Sequence, residues 1–321
     1  MEFKIRHPVR VAIIGTGHVG STCAYALLLR GITSEIVLIN LNRERAEGEA
    51  MDLNHSMLFA RPVQVWAGDF ADCEGADIVV LAAGVAQRPG ETRLDLLRRN
   101  TQVFQQIIPQ IVKYAADAIL IVVTNPVDAL THVAQRVSGL PSTQVLGSGT
   151  ILDTARFRYL LSQHFHVEPR SVHAFIIGEH GDSQVPVWSL ANIAGIRLVD
   201  FVRLNGSTMD DGVKEAISHD TRSAAYEIIQ RKGATYYAIA AGVVRIIEAI
   251  VRNENSVLTV SSLVQGAYHL NDVCISLPSV VNRQGVTRVL ELPLVEEERF
   301  ALDRSAQIIR EAIETLEVRV A

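Results

Sequence analysis

The feature that most constrains the fold is a glycine pattern that directly follows a stretch of buried-strand character. Residues 9–14 read VRVAII, and Gly15, Gly17 and Gly20 then form G-x-G-x-x-G, with a helical pattern beginning at His18. Glycine at these positions permits a tight turn, close approach of a pyrophosphate and contact between helix and strand. The free N–H groups at the helix start favour a phosphate. The sequence therefore predicts a dinucleotide-binding strand–turn–helix unit.

The rest of the first half repeats this alternation of strand and helix. Further apolar strand-like runs occur at 35–40, 63–67, 77–83 and 118–123. Helical patterns lie between them, at 18–30, 43–58, 94–113 and 127–137. Such alternation predicts an α/β fold, a doubly wound parallel sheet of the Rossmann type. We expect residues 1–148 to form this NAD-binding Rossmann domain.

The regular alternation of strand and helix patterns ends at about residue 148. Long helical patterns, a strand-and-turn region and a final amphipathic helix follow, at 152–164, 213–230, 235–251, 256–290 and 296–317. This order predicts a mixed α+β substrate and catalytic domain over residues 149–321. Because no Gly/Ser linker separates the halves, we expect a continuous interface with a cleft.

Composition excludes several classes of function. The 321 residues are 48% hydrophobic and 20% charged, and 35 acids against 30 bases give a net charge of −5. No strong positive field is available for a polyanion, so we expect no nucleic-acid partner. Three widely spaced cysteines predict a reducing compartment and no metal cluster. Without a secretory leader or a membrane-length apolar run, the expected location is the cytoplasm, with no membrane partner.

Asn40 departs from the usual pattern at the end of the second strand. A carboxylate at this position accepts two hydrogen bonds from the adenosine ribose and repels a 2′-phosphate. Asparagine is uncharged, and Arg43 and Arg45 follow it closely. We expect NAD as the main cofactor, with weaker discrimination against NADP than an aspartate would give.

Three later segments contain the polar and charged residues that are most suited to substrate binding and catalysis. They are AAGVAQRPGETRLDL at 82–96, GTILDTARFR at 149–158 and IIGEHGDS at 176–183. Together with GTGHVG, VVTNPVD and KGATYYAIA, these motifs resemble the L-lactate dehydrogenase family of the lactate/malate dehydrogenase superfamily. The resemblance extends from about Val9 to the final helix, and several long motifs in order are more specific than any one alone.

The resemblance implies a role for each matching residue. His180 corresponds to the acid/base, Asp153 to the carboxylate that orients and charges it, and Arg156 to the clamp for the substrate carboxylate. Arg93 corresponds to the group that polarises the carbonyl when its loop closes. Further contacts to substrate or cofactor are implied for Val19, Gly84, Asn125, Thr235 and Ile239. The implied reaction interconverts pyruvate and L-lactate.

The same family distinguishes its keto acids at the position of Gln87. A neutral glutamine suits the methyl end of pyruvate, whereas an arginine would pair with the second carboxylate of oxaloacetate. The adjacent Arg88 would serve a dicarboxylate if the loop shifted by one residue. A malate dehydrogenase or another 2-hydroxy-acid dehydrogenase therefore stays open as an alternative. A non-catalytic NAD-binding protein is a third alternative, against which the intact set of His180, Asp153, Arg156 and Arg93 argues.

A second resemblance concerns regulation. Arg158 lies about 200° around the helix from Arg156, so it points away from the clamp. With His173 it resembles the fructose 1,6-bisphosphate site of allosteric bacterial lactate dehydrogenases, where these residues of two subunits meet across a dyad. The resemblance implies a homotetramer with this bisphosphate as activator. The alternative is that both are ordinary surface or interface groups.

Overall fold

The computed structural model describes residues 8–86 and 90–316. The described first half alternates strands with helices, as the sequence predicts. Its strands are β1 (Arg10–Ile14), β2 (Glu35–Ile39), β3 (Gln64–Ala67), β4 (Ile78–Leu81), β5 (Ile119–Val122) and β6 (Val145–Gly147). Its helices are α1 (His18–Arg30), α2 (Arg43–His55), α3 (Arg93–Tyr114) and α4 (Val127–Ser138).

These strands form a parallel array in the order β3-β2-β1-β4-β5-β6. The order reverses between β1 and β4, and a doubly wound sheet binds its ligand at the carboxyl ends of the strands beside such a switch point. The predicted Rossmann-type fold is confirmed.

The sheet is covered on both faces, which explains its continuous apolar strands. Val11 and Ile13 pack with α1, α2 and the later helix α8 (Tyr237–Val251). Ala12 and Ile14 point the other way and pack with α3 and α4. Alternate residues of one strand thus hold helices on opposite faces, and the loops at the carboxyl edge are fixed from both sides.

The second half begins with α5 (Ile151–Phe165) and contains short strands followed by long helices and a hairpin. The short strands are β7 (Val172–His173), β8 (Ile176–Ile177), β9 (Val185–Pro186), β10 (Asn192–Ile193) and β11 (Ile196–Arg197). The remaining helices are α6 (Leu198–Asn205), α7 (Asp211–Lys232), α8 and α9 (Glu296–Glu314). The long strands are β12 (Ser256–Gln265), β13 (Asn271–Asn282) and β14 (Gly285–Val289).

The two halves share one nine-stranded sheet. Strand β12 pairs antiparallel with β6 through Ser261 and Gly147, and β13 and β14 extend the same sheet. The predicted interface is therefore partly a continuation of the sheet itself. This arrangement holds β13 and α5 against the carboxyl edge of the parallel strands.

Several helix boundaries differ from the sequence prediction by one to three residues. Helix α2 ends at His55, and the predicted pattern continues as a 3-10 helix at Ser56–Phe59, where the Ser56 hydroxyl donates to the Leu53 carbonyl. Such a local side-chain bond competes with continued α-helix. Helix α8 begins at Tyr237, two residues later than predicted. The final helix ends at Glu314, earlier than the predicted residue 317, which lies outside the described residues.

Three further observations concern the described residues alone. None of their helices is long and apolar enough to cross a membrane. They also hold no group of three or more His, Cys, Asp or Glu side chains arranged for a metal ion. The three cysteines are buried and unpaired.

Candidate functional site

The glycine turn between β1 and α1 is shaped for a ligand. Gly15 has φ +98°, and a Cβ there would lie 2.5 Å from the Ala83 nitrogen; a Cβ on Gly20 would lie 1.9 Å from the Gly15 oxygen. Gly17 has nothing within 4 Å of an added Cβ. Two glycines are therefore required by the protein's own packing, whereas Gly17 leaves open space beside the first turn of α1. This cradle fits the pyrophosphate of a dinucleotide.

The neighbouring loops complete the cofactor side of the site. Gly84 follows β4, and a Cβ there would lie 2.4 Å from the Thr124 side chain. Val19 and Ile239 are partly buried and pack against the same core between α1 and α8. Asn125 follows β5, and its carbonyl accepts a hydrogen bond at 2.9 Å from the Asn100 amide. These residues come from four separate segments and meet at the carboxyl edge of the sheet.

Sequence reasoning missed Asn100. It is 1% exposed on α3, and its Oδ1 also accepts the Val85 N–H at 2.8 Å. One buried amide thus ties the loop after β4 to the loop after β5. The available signal was a polar residue on the apolar face of a helix, which alone does not indicate its partners.

Asn40 directly follows β2, as predicted, and the two arginines after it are ion-paired. Arg43 contacts Glu47 and Asp69, each at 3.0 Å, and Arg45 lies 3.9 Å from Glu49. Carboxylates therefore offset the positive charge that would attract a 2′-phosphate. The arrangement fits NAD as cofactor even without an acid at position 40.

The second half places three charged groups in direct contact. The His180 Nδ1 lies 2.5 Å from Asp153 Oδ2, and an Arg156 Nη1 donates to Asp153 Oδ1 at 3.0 Å. Asp153 and Arg156 stand one turn apart on α5, and His180 lies in the turn after β8. The side-chain exposures are 5% for Asp153, 13% for Arg156 and 23% for His180. The histidine is thus the most exposed of the three, although it too is largely buried.

Burial and charge act in opposite directions on this pair. Burial lowers the His180 pKa, but the Asp153 charge and hydrogen bond, together with the Asp128 charge, outweigh it and raise the pKa above its ordinary value. Burial likewise raises the Asp153 pKa, yet the charge and hydrogen bond of His180 and the charge of Arg156 lower it overall. Both shifts favour a charged imidazolium beside an ionised carboxylate.

Arg93 opens α3 next to the histidine turn. Its guanidinium lies 3.6 Å from Glu179 and 3.6 Å from Asp182, and donates to the His180 carbonyl at 3.5 Å. The side chain is 45% exposed. Gln87, with Arg88 and Pro89, lies outside the described residues, so the structure does not describe the predicted selector.

A cavity of about 370 Å³ adjoins the turn. Its wall includes Arg93, His180, Pro126 and Asp128, together with apolar side chains of α9. Thr235 is partly buried in the connection between α7 and α8 and does not belong to this wall. The cavity therefore reaches His180 from the α3 and α9 side, and Arg156 on α5 is not part of its wall.

Arg158 and His173 meet on another surface. Arg158 Nε donates to the Val172 carbonyl at 2.6 Å, and its Nη2 lies 3.0 Å from His173 Nδ1. Arginine only donates, so the imidazole nitrogen acts as acceptor in this contact. Burial lowers the Arg158 pKa. The two predicted effector residues are thus neighbours, on the side of α5 that faces β7.

Known proteins of one family resemble this chain over nearly its whole length. Residues 9–147 match the lactate/malate dehydrogenase NAD binding domain, and residues 150–319 match the lactate/malate dehydrogenase alpha/beta C-terminal domain. The chain is 54% identical over 309 residues to an L-lactate dehydrogenase from Acetivibrio thermocellus, covering 96% of this chain and 98% of the relative.

Solved structures of lactate dehydrogenases have the same fold as this chain. The crystal structure of a minor L-lactate dehydrogenase from Enterococcus mundtii superposes with a TM-score of 0.94 at 39% identity, covering 97% of this chain and 99% of that one. A lactate dehydrogenase from a Medee basin deep-sea metagenome gives a TM-score of 0.92 at 44% identity, covering 96% and 99%.

Proposed function

The chain belongs to the lactate/malate dehydrogenase family, and we propose how its site works as an NAD-dependent L-lactate dehydrogenase, with His180 as the acid/base. The reaction converts pyruvate, NADH and a proton into L-lactate and NAD⁺. The observation that carries the proposal is the contact of His180 with Asp153, whose other oxygen holds Arg156. One carboxylate thereby places a proton donor and a carboxylate clamp next to each other.

Each side chain has a distinct task in this proposal. NADH, when bound, supplies the hydride. His180 keeps its Nδ1–H on Asp153, so its Nε2–H donates to the substrate carbonyl oxygen and is released to it as the alcohol forms. Arg156 pairs with the substrate carboxylate, for which a planar guanidinium is suited. Asn125 and Thr235 orient the substrate between them.

Arg93 polarises the carbonyl once its loop has closed. Closure excludes water, and a guanidinium acts more strongly on a developing charge in a dry site. Its 3.6 Å separations from Glu179 and Asp182 are loose, so little holds the side chain against such a movement.

Gln87 selects pyruvate in this proposal. Its neutral amide leaves the second carboxylate of oxaloacetate without a partner, and an unpaired buried charge is costly. We further propose domains over residues 1–148 and 149–321, and a cytoplasmic location, which three unpaired buried cysteines support.

Regulation forms a separate proposal. We infer that Arg158 and His173 bind fructose 1,6-bisphosphate at a dyad of a homotetramer. The 3.0 Å contact between them and their place on the far side of α5 support this assignment. A bisphosphate would favour the assembled, active form because it offsets the charges brought together there.

Initial rates of NADH oxidation with pyruvate and with oxaloacetate, each with and without fructose 1,6-bisphosphate, test these proposals together. We expect a strong preference for pyruvate and activation by the bisphosphate. Preference for oxaloacetate would mean that Arg88 occupies the pocket. Pyruvate preference without activation would remove only the regulatory proposal.

A further inference from the structure

Asp128 is a buried carboxylate that the proposed mechanism does not use. It is 3% exposed and lies in the first turn of α4. Its Oδ2 accepts the backbone N–H of His180 at 2.7 Å, and its Oδ1 accepts the Ser276 hydroxyl at 3.0 Å. The carboxylate therefore binds the histidine turn with one oxygen and β13 with the other.

Backbone contacts reinforce the same connection. Gly178 and Ser276 exchange two hydrogen bonds, at 2.9 Å and 3.2 Å, and link the start of the histidine turn to β13. Asp128, on α4, accepts hydrogen bonds from both sides of this link: from His180 in the turn and from Ser276 on β13. The position of the imidazole is thus fixed from two sides, by Asp153 at its ring and by Asp128 at its backbone.

We propose that Asp128 is a positioning residue for His180. Its carboxylate is also a second negative charge near the imidazolium, in addition to that of Asp153. The inference rests on the proposed acid/base role of His180. A carboxylate held at hydrogen-bond distance from the histidine backbone stabilises the charged ring by Coulomb attraction, added to that of Asp153.

The groups that face Asp128 come from the histidine turn, from β13 and from the cavity wall. Glu179 and His180 face it from the turn, and Arg93 and Asp182 share the adjoining cavity. From β13 it is faced by Cys274, a thiol whose pKa lies well above its ordinary value because of burial. The α9 side chains in the cavity wall are apolar: Ile308, Ile309 and Ala312.

The buried negative charge of Asp128 lowers the stability of the folded protein. Burial raises the Asp128 pKa to about 6, despite the opposing hydrogen bond from His180. An acid whose folded pKa is raised destabilises the fold when ionised, and this cost grows as the pH rises from the unfolded pKa and is complete above about 6.

Asp128→Asn tests the charge while keeping both contacts, because the amide oxygen accepts from His180 and the amide nitrogen donates to Ser276. We expect the fall of kcat/KM for pyruvate with rising pH to move to lower pH by about one unit. Ser276→Ala retains the carboxylate and should leave that midpoint in place. An unshifted midpoint in Asp128→Asn, or equal shifts in both variants, overturns the inference.

Thermal unfolding gives a second readout. Asp128→Asn should raise the melting midpoint, and more at pH 8 than at pH 5; a lower midpoint at pH 8 would show that the carboxylate is structural. His180→Asn tests the premise separately. If that variant keeps its activity, the proposed function fails; if it is inactive while Asp128→Asn behaves as the unaltered chain, only this inference fails.

Discussion

Asp153 accepts a hydrogen bond from His180 with one carboxylate oxygen and from Arg156 with the other, at 2.5 Å and 3.0 Å. This shared carboxylate fixes the tautomer of the imidazole, since Nδ1 must carry its hydrogen. It also fixes the guanidinium relative to the ring. Chemistry at the carbonyl and recognition of the carboxylate are thus coupled through a single side chain.

Asp153→Asn should therefore change both the rate and its pH dependence. The amide still accepts from Nδ1 but carries no charge, so the pKa of His180 falls. Pyruvate reduction needs the protonated ring, and its kcat/KM should decline at lower pH than in the unaltered chain, with a loss of about 10²-fold at pH 7.5. Initial rates between pH 5.5 and 9 measure this. A retained rate with an unchanged profile would contradict it.

Arg156→Lys should impair substrate binding more than cofactor binding. Lysine keeps the charge but cannot form the bidentate pair with a carboxylate, and it weakens the contact with Asp153. We expect the KM for pyruvate to rise by about 10²-fold. NADH binding, followed by quenching of protein fluorescence, serves as the control and should stay within about twofold. Equal weakening of both would point to general disruption.

The glycine turn offers a matched pair of substitutions. Gly17→Ala adds a methyl group to open space and has a permitted φ of −73°, so the fold should be kept. If the pyrophosphate occupies that space, the Kd for NADH should rise by about tenfold or more. Gly20→Ala places its methyl 1.9 Å from the Gly15 oxygen and should lower the melting temperature itself. Calorimetry and NADH titration of both variants separate the two effects.

Much of the parallel half could be predicted because its signals are local. Most of its strands are buried on both faces and appear as apolar runs, although the edge strand β3 keeps Gln64 exposed, and the glycine turn has its own fixed spacing. The two-residue strands β7 to β11 and the pairing of β12 with β6 have no such signal. Their geometry depends on contacts between residues far apart in the chain, as Ser261 with Gly147 shows.

Only some of the residues at the candidate site could be predicted from the sequence. His180, Asp153 and Arg156 lie in long motifs whose roles the family resemblance implied. Asn100 and Asp128 were missed, although each is buried and hydrogen-bonded to two segments. A single polar residue on a helix shows neither its burial nor its partners, so only the assembled fold identifies them.

Asn40→Asp should strengthen the preference for NADH over NADPH. A carboxylate accepts charged hydrogen bonds from the ribose hydroxyls, each worth about 1.5–3 kcal/mol against about 1 for a neutral one, and repels a 2′-phosphate. We expect the ratio of kcat/KM values for the two cofactors to rise by about tenfold. Asp69→Asn should act oppositely, because it releases one partner of Arg43. Unchanged ratios in both variants would place the selectivity elsewhere.

Arg158→Gln should abolish activation by fructose 1,6-bisphosphate and leave the basal kcat intact, because Arg158 faces away from the pair formed by Asp153 and Arg156. The glutamine removes the cation and the contact with His173. In the unaltered chain we expect the bisphosphate to lower the KM for pyruvate by about 5- to 150-fold at dilute protein. Arg170→Gln is the control, since Arg170 is 95% exposed and paired loosely with Glu168 at 3.8 Å. Activation that survives in Arg158→Gln, or is lost equally in Arg170→Gln, would assign the effector to a different surface.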